Sequence, residues 1–458
     1  MSTRRNFIKQ SISGSIIIAS GMPGLYLPSV YPEIRRSKEK PRIIIETDAG
    51  GDPDDEQSLV RFLVYADVFE ILGIIANRPV TRRPENKNPQ SEGYEIVKAM
   101  INAYGKCFPN LVQHSSGYPK PGDLLKLTRP GYNTDAGVDL IIKAVDSDET
   151  KPLWFCNWGT DNGSSESCLK RALDKIMRER GNSGYAKFKN RIFLSSADKF
   201  GDHTNMIDPP FPFWIDTWRP PVSNKRWYHR FSPVTAKAGG FDIERDVRTD
   251  HGPLGAMYPL NTNYPQKEGD TMSFLYLIPT GMNNPYEPLW GSWVGRYGLN
   301  EEHPGKNYYW ANQEDNWNNS RNRDNMLARW AEAFQNDFRV RMDWCVKPYA
   351  ETNHHPVAIV NGKKGIIHLT VKPGKMVILD AHRSYDPDKR ELLPLWFIYN
   401  EAGTCREEIT LNDPNSMRAS FIAPKVKKNE TVHVIFQLRN NGDPSLYNYS
   451  RAIITIRP

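Results

Sequence analysis

Two nearly unbroken apolar runs, Arg42 to Glu46 and Phe69 to Ala76, flank a segment with helical spacing, and they restrict the fold more than any other feature. A strand with one wet face alternates polar and apolar residues. A β-branched run without alternation reads instead as a strand covered on both faces, the usual state of a parallel sheet. Parallel neighbours need a crossover, and Glu56 to Tyr65 supplies one as a helix, so the segment reads as a βαβ unit. The rhythm continues with helices over Tyr94 to Tyr104, Gly137 to Val145 and Ser165 to Arg180. Strands are expected over Pro152 to Asn157 and Arg191 to Ser195. Residues 200–265 and 285–325 break the pattern. They are rich in Pro, Trp, Asn and Asp and read as long loops around a site. A last amphipathic helix is expected over 326–342.

After Asn353-His354-His355-Pro356 the composition changes. Short alternating runs at 365–371, 375–379, 394–400, 419–423, 431–439 and 451–456 are separated by turn signals such as Pro373-Gly374 and Asn441-Gly442-Asp443. Regular short strands with polar turns read as a β-sandwich of about 100 residues. The expected organisation is an address and linker over 1–38, an α/β domain over 39–350 and the sandwich over 351–458.

The address is a twin-arginine export signal: Arg4-Arg5 is followed by Phe7, Ile8 and Lys9 and a short apolar stretch from Ile12 to Ala19. The alternative is a basic N-terminus arising by chance. The signal implies export in a folded state to the periplasm or beyond. Cys107, Cys156, Cys168, Cys345 and Cys405 are odd in number and match no zinc spacing. No apolar run is long enough to span a bilayer, so no membrane anchor is expected. The 60 Lys and Arg against 53 Asp and Glu leave a net charge of +7. Those cations are scattered and read as solvated surface, and no nucleic-acid partner is expected.

The most informative segment runs from Glu46 to Asp55. Asp48, Asp52, Asp54 and Asp55 fall between a strand and a helix. Ligands bind at the carboxyl ends of strands in open α/β sheets. So many carboxylates repel unless a cation neutralises them, and all-oxygen ligands point to Ca²⁺ or Mg²⁺. The alternative is an Asp-rich turn that caps the following helix, with the remaining carboxylates solvated.

This strand, acidic loop ending in Asp54-Asp55, helix and second strand resemble the nucleoside hydrolase superfamily, where the loop reads D-x-D-P-G-x-D-D. Glu46 stands at the first Asp, Asp48 at the second and Asp54-Asp55 at the terminal pair, with two extra residues between. Asp270, in the segment Glu268 to Ile278, resembles the family's late metal-ligating Asp. Trp158-Gly159-Thr160-Asp161-Asn162 resembles a turn that gives a backbone carbonyl to Ca²⁺. The chain from about residue 40 to 458 is similar to a branch of cellulose-binding, nucleoside-hydrolase-like proteins. That branch carries a C-terminal sandwich like PKD and immunoglobulin modules. Stretches 47–63, 268–279 and 333–346 carry the likeness, with Asp380 to Asp388, Trp396 and Glu401 to Thr404 in the sandwich.

The resemblance implies a mainly parallel open sheet flanked by helices, and Ca²⁺ held by Asp48, Asp54, Asp55 and Asp270. Asp48 is then also the general base that activates water against an anomeric carbon. Asn77, Trp158, Asn162 and His251 are the candidate substrate-binding residues. Asn77 falls near the family's substrate Asn, though a turn Asn fits as well. His251 is a substitute for the family's late His, which is Gly269 here, or a loop His. Trp158, Trp290 and Trp293 stack on a sugar or pack in the interior. Asp52 can replace either neighbouring ligand. Asp380, Asp386 and Asp388 hold turns or Ca²⁺, and Trp396 is the sandwich's core Trp. The implied activity is that of a glycosidase, cleaving an N- or O-glycosidic bond in a sugar-containing small molecule or glycan. The alternative is a carbohydrate-binding protein without chemistry. Relatives of this superfamily commonly form homo-oligomers.

Overall fold

The computed structural model describes residues 40–51, 53–78, 92–148, 150–159, 166–196, 211–217, 231–260 and 265–458. Its first part is an open sheet. Strands β1 (Arg42–Thr47), β2 (Glu70–Ala76), β3 (Thr128–Pro130), β4 (Leu153–Trp158), β5 (Ile192–Ser196), β6 (Phe213–Asp216), β7 (Gly298–Leu299) and β8 (Tyr308–Trp310) stand in the order β3-β2-β1-β4-β5-β6-β8-β7. Every pairing is parallel except β7 with β8. The order reverses between β1 and β4. That switch point opens a crevice beyond the carboxyl ends of these two strands, and the acidic loop begins there.

Helices α1 (Asp54–Val64), α2 (Gly93–His114), α3 (Pro121–Leu127), α4 (Ala136–Asp146) and α5 (Cys168–Lys189) follow the first strands. Ile44, Ile75, Phe155 and Leu194 meet Val138 and Ile141 of α4 and Leu169, Leu173 and Ile176 of α5 in one core. Strand side chains alternate between faces, so Ile43, Ile45 and Thr47 turn to the opposite face, and Thr47 there hydrogen-bonds Asp55 of α1.

Helix α2 continues past its expected end at Tyr104 and runs through Pro109, because Ile101, Tyr104, Cys107 and Leu111 prolong one buried stripe. Helix α5 likewise extends to Lys189, but as two segments meeting at Gly181, whose φ of 62° leaves the helical region. Strand β6 lies inside the stretch expected to be loop. Four residues are too few to reveal a period, and pairing with β5 and β8 decides their state. The same stretch holds the short helices α6 (Phe231–Thr235) and α7 (Gly252–Ala256); further on come α8 (Thr271–Leu275) and, near its expected place, α9 (Asn325–Asp343). The 285–325 stretch also contains β7, β8 and the hairpin β9 (Asp315–Trp317) and β10 (Ser320–Asn322).

The C-terminal part is sandwich-like. Strands β11 (Gly365–Val371), β13 (Leu392–Ile398), β15 (Glu430–Asn440) and β16 (Tyr447–Ile456) form one sheet. Strands β12 (Met376–Asp380) and β14 (Arg418–Ile422) form the other. Trp396, Phe421, Val434, Phe436 and Ile454 lie in the core between them. Trp396 is thus the core Trp that the sequence suggests.

Asp315 ties the two parts together. Its carboxylate takes Arg296 at 2.8 Å and Arg329 at 3.1 Å, and Tyr399 from the sandwich donates to it at 2.6 Å. Asp315 and Tyr399 are both fully buried. A hydrogen bond to a buried charge contributes about 1.5–3 kcal/mol. Tyr399→Phe, which keeps the ring, is therefore expected to lose about that much stability, read from the urea midpoint. A loss under about 0.5 kcal/mol, the range of ordinary surface changes, would contradict this account of the junction.

Candidate functional site

The site is built from the two ends of α1's polar stripe. Asp54, Gln57, Ser58 and Arg61 recur at helical spacing and share one face. That face grips a segment over 200 residues away in sequence. Gln57 Nε2 donates to the carbonyls of Pro259 and Pro265, and Gln57 Oε1 accepts from the backbone of Lys267 and Glu268. Ser58 Oγ and Thr271 Oγ1 are hydrogen-bonded at 3.0 Å, with Ser58 donating because the Thr271 proton goes to Glu268. Arg61 meets Glu268 twice, at 2.5 and 3.1 Å, with both side chains fully buried. Glu268 also accepts from Tyr258, Gln266 and Thr271. Its φ of 43° is left-handed, a strained state for a non-glycine residue.

This clamp delivers Asp270 to the start of α1. Carboxylate oxygens of Asp54, Asp55 and Asp270 lie within 4.8 Å of one another, and all three residues are buried. Burial, and then the charges of Asp270, Asp48 and Asp54, push the Asp55 carboxyl well above the usual carboxylate range. Three buried oxygen donors at this spacing fit a hard divalent cation. No side chain caps α1, whose N-cap is Pro53, so Asp54 and Asp55 sit in its first turn rather than at the capping position.

Asp48 borders the cluster. Its backbone N–H donates to Asp55 Oδ1 at 3.1 Å and, across the switch point, to the Trp158 carbonyl at 3.2 Å. Its carboxylate pairs with Arg78 at 3.2 Å, and Lys267 pairs with Asp54 at 3.1 Å. Close backbone approach shapes this loop. A Cβ on Gly159, at φ 79°, would meet the Asp48 carboxylate at 3.2 Å, and one on Gly93 would lie 2.4 Å from the Ala49 carbonyl.

Residues 42–297 match the family described as "Cellulose-binding Sde182, nucleoside hydrolase-like domain". The chain belongs to this family. Residues 376–456 match its companion description, "Cellulose-binding protein Sde0182, C-terminal domain". A solved structure from Saccharophagus degradans is 28% identical to this chain, with a TM-score of 0.70. The match covers 92% of this chain and all of that one. That protein is described as nucleoside hydrolase-related, hypothetical and associated with carbohydrate metabolism. The PKD domain of KIAA 1837 protein is 19% identical over 20% of this chain and 78% of its own, but its TM-score of 0.16 carries no argument. No curated protein matches.

In this member of the family the expected site residues separate. Asp48, Asp54, Asp55 and Asp270 come together. Asn162 and Asp52 lie outside the described residues. Asn77 is buried at the end of β2 and donates to Glu46 at 2.7 Å and to the Glu166 carbonyl at 2.8 Å.

Trp158 is not a sugar platform. It is fully buried, edge-on to Phe62 and against Phe274, with its N–H donating to Ser273 at 2.7 Å. It supports the turn that carries Asp270 from below. Trp293 is likewise buried on Phe334, and Trp290 packs against His433 of the sandwich.

His251 is not at the cluster either. It binds the Thr249 carbonyl at 2.6 Å and Asp343 at 3.4 Å. The neighbouring Gly252 abuts Cys107, whereas the acidic loop abuts Gly93. Those two positions of α2 are about 21 Å apart at 1.5 Å per residue. Loop proximity in sequence to Asp270 did not carry over into space.

Glu46, aligned with the family's first Asp, points to the α5 face. It accepts from Cys168 N at 2.6 Å, Ser167 Oγ at 2.7 Å and Asn77, at the start of α5. Burial raises its carboxyl pKa against these hydrogen bonds, which lower it. In the sandwich, Asp386 accepts from the backbone of Asp388 and Arg390 and so holds a turn.

Sequence reasoning missed Arg61, Arg78, Glu268 and Lys267. Arg61 alone left a trace: one cation inside the apolar run Leu59 to Val64.

Proposed function

We propose that the chain is an exported, Ca²⁺-dependent hydrolase that cleaves a glycosidic bond in a sugar-containing small molecule or glycan. The observation that carries this reading is the convergence of Asp54, Asp55 and Asp270 beside Asp48 at the switch point of the sheet. A divalent cation held there would supply Lewis acidity at the carboxyl edge of the sheet. Asp54, Asp55 and Asp270 would hold it. Asp48 serves as general base, its carboxylate taking the proton of the water that adds to the anomeric carbon. For this, Arg78 must swing away from Asp48. Until it does, it balances part of the cluster's charge, as Lys267 does at Asp54. Residue 269 is Gly and offers no side chain to protonate a leaving group, so the proton that a departing nucleobase or sugar alcohol takes up comes from solvent, for an N- and an O-glycosidic bond alike.

A second reading, carbohydrate binding without turnover, draws on two observations. The family is described as cellulose-binding, and Arg78 occupies the carboxylate that would act as base. Export rests on the Arg4-Arg5 signal, which lies outside the described residues. No helix among the described residues is long and apolar enough to cross a membrane.

The test is calorimetry of Ca²⁺ and Mg²⁺ with chelator-stripped protein and with Asp54→Ala, followed by a turnover screen on cello-oligosaccharides, aryl glycosides and nucleosides. Ca²⁺ binding that is lost in Asp54→Ala, with turnover lost in Asp48→Asn, is the expected result. Cellulose pull-down without turnover of any substrate would leave the second reading. No cation binding by the wild-type chain would overturn the mechanism.

A further inference from the structure

A chain of polar contacts far from the acidic cluster holds more hydrogen bonds than its neutral groups have protons. His114 is the last residue of α2, and His354 lies in the segment leading into the sandwich. His354 Nδ1 is 3.0 Å from Asp388 Oδ1, in the loop between β12 and β13. His354 Nε2 is 3.0 Å from His114 Nδ1. His114 Nε2 is 2.9 Å from the Lys347 carbonyl, just beyond α9.

A carbonyl and a carboxylate only accept. His354 Nδ1 must therefore carry a hydrogen toward Asp388, and His114 Nε2 must carry one toward Lys347. A neutral imidazole has one N–H, so both are already spent. Two lone pairs would then face each other at 3.0 Å between the rings. A third proton removes that clash and makes the middle hydrogen bond.

We propose that His114 and His354 share one proton as an imidazole–imidazolium pair, which clamps the end of α2 to the sandwich and opens as that proton is lost at higher pH. The surroundings suit one positive charge. The ring of Tyr349 stacks on His354 with centroids 3.7 Å apart, and Trp344 lies parallel to His114 at 5.0 Å; aromatic faces attract cations. Asp388 and Asp386 face the pair from the sandwich loop. Of the other charges nearby, His355 pairs with Asp337 at 2.7 Å yet still weighs against a positive charge on His354, and Lys347 Nζ pairs with Asp343.

Taken singly, each ring is pulled below the ordinary histidine value. For His114, burial acts first, the Lys347 carbonyl opposes it, and the charge of His354 adds to it. For His354, burial is opposed by Asp388. Burial weighs against the third proton as well as a fourth, and repulsion between the two rings adds to it only for the fourth, which would charge both. The third proton differs because the middle bond exists only for the pair, so the pair titrates as a unit. Without it, His114 Nδ1 falls back on the Thr352 hydroxyl, 3.4 Å away, and the rings must part.

The sign follows. A shared proton held more tightly than in the unfolded chain contributes stability that is full below about pH 6.5, the free histidine value. That stability is lost as pH rises through the pair's own higher value.

The experiment is long-range ¹H–¹⁵N correlation on the full chain labelled with ¹⁵N-histidine, from pH 5 to 9. The expected result is one concerted step for both rings, with a midpoint above about 6.5. His114→Gln should abolish that step at His354 and lower Tm more at pH 6 than at pH 9. Asp388→Asn keeps an acceptor and should shift the midpoint downward, which serves as the test if His114→Gln does not fold. Separate steps, a midpoint below the free histidine value, or two neutral rings at pH 6 would overturn the proposal.

Discussion

Replacing Asp55 by Asn is expected to raise the melting temperature of cation-free protein and to abolish its response to added Ca²⁺. Without a cation, Asp55 either stays ionised against burial and the charges of Asp270, Asp48 and Asp54 or takes up a proton to escape them, and both cost stability. Asn has nearly the same shape and keeps the Oδ1 acceptor that Thr47 Oγ1 and the Asp48 N–H use. The repulsion is removed while the local hydrogen bonds stay. With a cation the balance inverts. A ligand present at 100 times its Kd stabilises the folded chain by about 2.7 kcal/mol, and the variant lacks one of the three clustered carboxylates needed to bind it. Thermal melts with chelator and with excess Ca²⁺, on both proteins, read the two effects together. A variant less stable than wild type in chelator, or one still shifted by Ca²⁺, would contradict the account of the cluster.

Glu268→Ala is expected to cost about 3–5 kcal/mol, the range for breaking a buried ion pair from one side. Arg61 is fully buried, with its guanidinium 3.8 Å from the Phe338 ring centre. Removing Glu268 leaves that buried charge with only neutral acceptors, Gln335 Oε1 and the Phe334 carbonyl, among the described residues. It also releases Tyr258, Gln266 and Thr271. The effect should appear as a lower urea midpoint with an unchanged slope. Because Asp270 is two residues away, Ca²⁺ affinity should fall in the same variant. Replacing both Arg61 and Glu268 by apolar residues of similar size should cost much less than Glu268→Ala, since no unpaired charge is left. A single variant no worse than the double would remove the clamp from the explanation of how Asp270 is placed.

Legibility from sequence followed the range of the interaction. The strands β1, β2, β4 and β5 announced themselves as uninterrupted apolar runs because both of their faces are covered. The sandwich strands did so by alternation. Strands of two to four residues, β6 to β10, carry too little pattern, and their state depends on a partner elsewhere in the chain. Helix α2 shows the opposite error, where local breakers at Gly105 and Pro109 were outweighed by a buried stripe that continues beyond them.

The acidic loop was legible as chemistry, since Asp54 and Asp55 are adjacent and Asp48 lies at a strand end. Asp270 was placed by family resemblance, and no local signal joins it to the loop. Trp158 and His251 show the limit from the other side. A residue next to a site in sequence can turn its ring into the core, as Trp158 does against Phe62 and Phe274. A loop histidine can dock at the wrong end of a long helix.

Sequence alone determined the fold class, the position of the acidic loop between strand and helix, and the types of residue able to hold a cation, because these depend on periodicity and side-chain chemistry. Tertiary structure alone decided which carboxylates meet. Glu46 leaves the cluster because strand side chains alternate and its face belongs to α5. Asp270 enters it because Gln57, Ser58 and Arg61 on one stripe of α1 bind its segment across more than 200 residues. Such long-range hydrogen bonds and buried charges leave no period in a sequence, and they settle where each functional group comes to rest.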